Sequence, residues 1–129
     1  MAALSDYAEN LILNWLMKNT GSAPSTTHLA LFTSAPNDAG GGTEVSGNGY
    51  ARQAVTWATA SGTGGTTSNS TEETFTASGG NFGTVTHIGI FDAATSGNLL
   101  WHGAMTSSKT VADGDSLQFA AGAIDLTIA

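Results

Sequence analysis

Two histidines and a carboxylate stand close together in "HIGIFDAATSGNLLWHG", residues 87–103. His87, Asp92 and His102 are the minimum for a hydrolytic relay or for part of a metal site. Their surroundings, however, have the spacing of strands. Val85, His87, Gly89 and Phe91 alternate with Thr86, Ile88 and Ile90, and such alternation places the two sets on opposite faces. On the second segment Leu100, His102 and Ala104 alternate with Leu99, Trp101 and Met105. Strand parity turns Asp92 away from His87. The register across the connection is open, so a cross-strand His87–His102 pair is allowed but not required. Zinc would still need a third ligand, and none of its usual tight ligand spacings is present. No metal is expected.

Other chemistries find less support. No cysteine is available as a nucleophile, and no G-x-S-x-G elbow follows a strand. The serines lie in loops of low complexity, where turn bonding and solvation account for them. Glu72 and Glu73 are adjacent on a strand and so point to opposite faces, which is unsuited to glycoside hydrolysis. "GTGG" and "AGGG" lack the strand-to-helix context of a phosphate loop. "DGD" (113–115) matches only a fragment of a calcium loop and reads as a turn. The expectation is therefore no catalytic residue, no cofactor and no enzyme. The stretch is expected to be a hairpin whose His87 and His102 fill polar niches on a sheet or at an interface and whose Ile88, Ile90, Leu99 and Trp101 make core or subunit contacts.

The bulk properties agree. A chain of 129 residues fits one domain over its whole length and buries enough surface to need no staple. With no cysteine, a disulfide framework is excluded. Lys18, Arg52 and Lys109 are the only basic residues against ten acidic ones, for a formal charge of −7. Three scattered cations cannot form the patch that displaces counterions from nucleic acid or holds an acidic membrane. Charged residues make up 10% of the chain, where a quarter is usual. Hydroxyls, amides and glycine replace them, as suits a protein packed against other copies. The N-terminal "MAALSDYAEN" lacks the basic region of a signal peptide, and "LILNWLM" is too short to span a bilayer. A soluble protein made in the cytoplasm is expected.

The elements follow from pattern. Residues 5–18 predict a helix, with Ser5 as N-cap, Asp6 and Glu9 near its positive end and Lys18 near its negative end. Leu4, Ala8, Leu11, Ile12, Trp15 and Leu16 form an apolar stripe to pack on the domain's own sheet. Leu13 and Met17 lie off that stripe and widen it toward a neighbouring subunit. Strands are predicted at 27–32, 50–60, 71–77, 83–93, 98–105, 116–120 and 123–128, with long loops at 34–49 and 61–70. Val55 and Trp57 share one face of the second strand. The fold class expected is mainly β, a compact antiparallel β-sandwich or jelly-roll-like barrel with one N-terminal α-helix.

The succession "LSDYAENLILNWL", "HLALFTSAP", "EVSGNGYARQAVTW", "THIGIFDAATSGNLLWHG" and "KTVADGDSLQFAAG" resembles a family of small virion structural proteins of tailed bacteriophages. Its members are often labelled tail fibre proteins and are similar to capsid decoration proteins. The resemblance runs from about residue 4 to the end of the chain, and it implies a virion location after synthesis in the host cytoplasm. It also implies self-association, by analogy as a homotrimer, and partners among the major capsid protein or the tail proteins. No catalytic residue is implied. The leading expectation is a capsid decoration, or cement, protein that clamps coat subunits. The alternative is a tail-fibre or tail-tip component, recognising the host or binding glycans through Tyr50, Trp57 or Trp101. A small lectin-like or hydrolytic domain is a third reading, weakened by the missing acid pair and nucleophile. Leu13, Trp15, Met17, Tyr50, Trp57 and Trp101 are the expected interface residues, and the two long loops are the expected docking segments.

Overall fold

The computed structural model describes residues 2–62 and 64–128. The helix α1 spans Asp6–Lys18. Its start is fixed by Ser5, whose extended backbone lets the side chain accept the Ala8 N–H at 3.2 Å. The same hydroxyl donates to the Leu99 carbonyl, and the Ser5 N–H donates to the Leu100 carbonyl at 2.8 Å. The cap thus anchors the helix to the sheet. Asn19 ends the helix in the left-handed region, its N–H bonded to the Asn14 carbonyl. Leu4, expected in the apolar stripe of the helix, belongs instead to a short strand, β1 (Ala2–Leu4).

The remaining strands are β2 (Thr27–Ser34), β3 (Thr43–Glu44), β4 (Gln53–Val55), β5 (Thr66–Ser68), β6 (Glu73–Thr76), β7 (Gly83–Phe91), β8 (Leu99–Val111), β9 (Ser116–Phe119) and β10 (Asp125–Thr127). Five of them join β1 in a six-stranded antiparallel sheet in the order β1-β8-β7-β2, with β3 and β4 sharing the far edge of β2. Two ribbons, β5 with β10 and β6 with β9, lie outside that sheet. One apolar core joins the three sheets: Leu29, Leu31, Val85, Ile90 and Val111 from the large sheet meet Phe75, Leu117, Ile124 and Leu126 from the ribbons and their flanks. The expected mainly β, antiparallel fold with one N-terminal helix is the observed one. Its arrangement is sandwich-like, and among the described residues no barrel closes.

The two long loops contain strands. Thr43 and Glu44 lie within the expected loop 34–49, and Thr66–Ser68 within 61–70, whose Thr63 is outside the described residues. The expected strand 50–60 shrinks to Gln53–Val55, with Trp57 retained only in an isolated bridge to Asn69.

The expected facing of the central hairpin also changes. Phe91 pairs with Leu99 and Ile90 with Trp101, so Leu100 is an extra residue in β8. That irregularity sends Leu100 to the main core and Leu99 to the other face. Farther along, Met105, Thr106, Ser107 and Ser108 stand against Thr86 alone, between the pairs His87–Ala104 and Val85–Lys109. Alternation breaks there, and Val85 joins Ile90 in the core rather than sharing a face with His87.

The outer face carries a smaller cluster of Ala30, Phe32, Phe91 and Leu99 around Gly89. A Cβ on Gly89 would lie 2.8 Å from Phe32 Cε1 and 3.0 Å from Leu99 Cδ1. Strand propensity alone favours alanine over glycine here, but overpacking outweighs it. Gly89→Ala is expected to destabilise the protein by about 1–3 kcal/mol, read from urea unfolding midpoints. A neutral or stabilising result would mean the cluster relaxes freely.

Candidate functional site

Exposed apolar side chains are concentrated on one element. Of the six large exposed hydrophobic residues described, Tyr7, Leu13, Trp15, Leu16 and Met17 all belong to α1. Leu13 is 59% exposed, Trp15 51%, Leu16 60% and Met17 76%, while Ala8 is the helix's one buried residue. The stripe expected to cover the sheet therefore does so only at its N-terminal half. Apolar exposure concentrated on one element makes α1 the candidate interaction surface.

Beside the helix is an apolar hollow of about 180 Å³, lined by Leu4, Ala8, Leu11, Ile12, Trp15, Ala23, Pro24, Leu100 and Trp101. A second hollow, of about 290 Å³, adjoins it across Leu100 and Trp101 and is bounded by Trp57, Ala58, Ala60, Ile90 and Leu126 with Thr27 and Thr67. Three of the expected interface residues, Trp15, Trp57 and Trp101, thus line two neighbouring depressions. The Trp57 indole N–H donates to Thr27 Oγ1 at 2.8 Å, which fixes its ring as a wall. A larger cleft of about 430 Å³ at Ala104–Ser107 holds a single ionisable side chain, Asp125.

Tyr50 is elsewhere, half-buried against Phe75 and Phe82. Its hydroxyl donates to Glu44 Oε2 at 2.6 Å and accepts the Leu31 N–H at 3.1 Å. Arg52 completes this network. It donates to both Glu44 oxygens at 2.8 Å and to the carbonyls of Ala93 and Ser96 at 2.9 and 2.8 Å, with its guanidinium 3.6 Å from the Phe91 ring centre. Burial pushes the Tyr50 phenol up, and its bond to Glu44 adds to that. Burial would also raise Glu44, but hydrogen bonds from Arg52 and Tyr50 and the Arg52 charge together hold its carboxyl below the usual range. The bonds to Glu44 raise Arg52 despite its burial. This is a structural clamp. The available signal was a scarce one: a chain with three basic residues placing one beside a strand, eight residues after a glutamate.

The histidines are engaged separately. His87 and His102 share the outer face, opposite Ala104 and Gly89 respectively. His87 Nδ1 bonds Thr86 Oγ1 at 2.7 Å, and His102 Nε2 bonds Asp38 Oδ1 at 2.8 Å. His28 pairs with Phe91 across β2 and β7, and its Nδ1 is buried without a hydrogen-bond partner among the described residues. Asp92 caps its own turn, accepting from the Asn98 N–H at 2.7 Å and its side-chain amide at 3.0 Å. Among the described residues no group of three or more potential ligands gathers for a metal ion, and no helix is long and apolar enough to cross a membrane.

The class this chain belongs to is that of phage virion structural proteins of fibre type. Its family is that of the podophage GP4 fiber I protein gp80, whose model it matches over residues 3–127. No curated protein matches the chain.

Two outcomes follow from this geometry. Trp15→Ala should cost only about 1 kcal/mol, against the roughly 3–5 kcal/mol of a fully buried tryptophan, as measured by denaturant unfolding. Glu44 contributes stability that is fully present above its ordinary value of 4.5 and is lost as pH falls through the lower value of the folded state. The melting temperature of Glu44→Gln should therefore lie below that of the wild type at neutral pH, and the gap should close below pH 4.5.

Proposed function

We propose that this virion protein is a component of the phage tail fibre apparatus, assembling through the apolar surface of α1 and the hollows beside it. The fibre family match carries this reading, because it covers residues 3–127 and so includes the helix and all of the described sheet except Ala2 at the start of β1. Fibre membership favours the tail over the capsid decoration role. The character of the surface agrees: the hollow beside α1 is lined by aliphatic and indole groups with hardly a polar partner. Protein side chains suit such a surface better than a glycan, which needs hydrogen bonds alongside its aromatic contacts. The reading needs no catalysis, since His87, His102 and Asp92 each have a local partner that explains them.

Copy number in purified virions tests the assignment. Quantitative mass spectrometry against the major coat protein should find this chain as a small minority of copies. Near-equimolar amounts would overturn the tail reading in favour of shell decoration, and particles lacking the protein would then be weakened to heat.

A further inference from the structure

We propose that Asn48 is a site of spontaneous covalent modification, in which the Asn48–Gly49 backbone converts the Asn48 amide to a carboxylate and releases the turn that this amide pins. The proposal stands on one loop and does not depend on the fibre reading. Asparagine is a chemically labile side chain, and the attacking group is the backbone nitrogen of the residue that follows it. Of the eight asparagines in the chain, Asn48 alone precedes a glycine, which leaves that nitrogen unhindered. Asn48 and Gly49 are exposed, and the Gly49 N–H has no hydrogen-bond partner among the described residues. The pair lies between β3 and β4 and belongs to no strand, so the backbone can turn there without breaking a ladder. The other pair open to this chemistry, Asp113–Gly114, is tied at both ends of the reaction. The Gly114 N–H is bonded to the Ala77 carbonyl at 2.9 Å, and Asp113 Oδ1 accepts the Gly79 N–H at 2.9 Å.

The Asn48 amide joins two turns. Its Nδ2 donates to the Asn81 carbonyl at 2.8 Å, and the Asn48 backbone carbonyl accepts the Ser78 N–H at 2.8 Å. The side chain lies against Gly80, where a Cβ would come 2.6 Å from Asn48 Oδ1. Tyr50 and Phe82, which follow the two joined turns, pack edge to face with ring centres 5.8 Å apart. In the conversion the Gly49 nitrogen attacks Asn48 Cγ and gives up its proton. A new C–N bond closes a succinimide ring, and the bond from Cγ to the side-chain nitrogen breaks as ammonia leaves. One water then opens the ring, giving aspartate when it adds at Cγ and isoaspartate when it adds at the backbone carbonyl. Neither product keeps the amide donors. Aspartate sets two acceptors against each other at the Asn81 carbonyl, and isoaspartate adds a carbon to the main chain within the turn.

Attack requires the amide to leave Asn81, and opening one exposed hydrogen bond slows it by only about tenfold. The full chain, aged in mildly alkaline buffer and mapped by peptide mass spectrometry, should convert Asn48 ahead of the other seven asparagines. Its rate should fall below that of a synthetic peptide of residues 44–52 by no more than about that factor. It should also rise with pH, because the attacking nitrogen must lose its proton. The converted protein gains a negative charge and separates from the aged sample by anion exchange. Its amides at Ser78 and Gly79 should exchange with solvent about tenfold faster than in the unconverted protein, and Asn48→Asp should show the same change. Conversion slower than in the peptide by well over tenfold, conversion spread evenly over several asparagines, or unchanged exchange at Ser78 and Gly79 in the separated product would each overturn the proposal.

Discussion

The second layer of this fold depends on one buried amide. Asn69 lies where all four ribbon strands end: just after Ser68 of β5, four residues before β6, and beside the β9–β10 connection. Its side-chain amide donates to the carbonyls of Thr71 and Ala120 at 2.8 and 2.9 Å, and its side-chain oxygen accepts the Ile124 N–H at 2.9 Å. Its backbone N–H donates to Ile124 and its carbonyl accepts from Gly122. A two-stranded ribbon is barely stable alone in water, and each ribbon here has only three or four paired residues per strand. By joining them, Asn69 turns two weak ribbons into one lid, and that lid brings Phe75, Leu117 and Leu126 onto Leu29 and Leu31. A fully buried amide is tolerable because both its donors are used.

The large sheet is covered on both sides, by unlike means. Its inner face meets the ribbons through aliphatic and aromatic packing. Its outer face has only the small Ala30, Phe32, Phe91 and Leu99 cluster, and polar ties hold loops over it. Arg52 fastens the 93–96 turn to Glu44 above Phe91, while Asp38 fastens the 34–42 loop to His102 and to the start of α1. The 34–49 loop, one of the two expected to dock on neighbours, is in this respect part of the domain's own closure.

The sequence exposed those parts of the fold whose cause is local. Ser5, Asp6, Glu9 and Lys18 mark α1 because capping and dipole effects act within one turn. The strands of the central hairpin and β2 are legible because apolar runs of that length have few alternatives. Leu99 and Val85 were misplaced because their facing follows from extra residues in a partner strand, and a bulge leaves no mark on local alternation. β1, β3 and β5 are two or three residues long, and "AAL", "TE" and "TTS" owe their extended form to the neighbours they pair with. The candidate surface was half visible. Leu13 and Met17 stood off the apolar stripe, but only the fold shows that Trp15 and Leu16 extend past the sheet, and that Tyr50 is spent on Glu44.

That division explains how α1 remains ordered with so little of it buried. A 13-residue helix whose one buried residue is Ala8 gains little from tertiary packing, and an isolated helix of such length is marginal. Here Ser5 is bonded to Leu99 and Leu100, the first turn is acidic, and Asn19 closes the last turn in the left-handed region. These terms act at the ends and leave the middle of the apolar face free. The helix is therefore formed before anything covers it. A partner docking on that face would meet a surface with its backbone entropy already spent, so association would need to offset only rigid-body and side-chain ordering. Stabilising an element at its ends while leaving its face open is a physical route to a domain that stays folded alone and still binds.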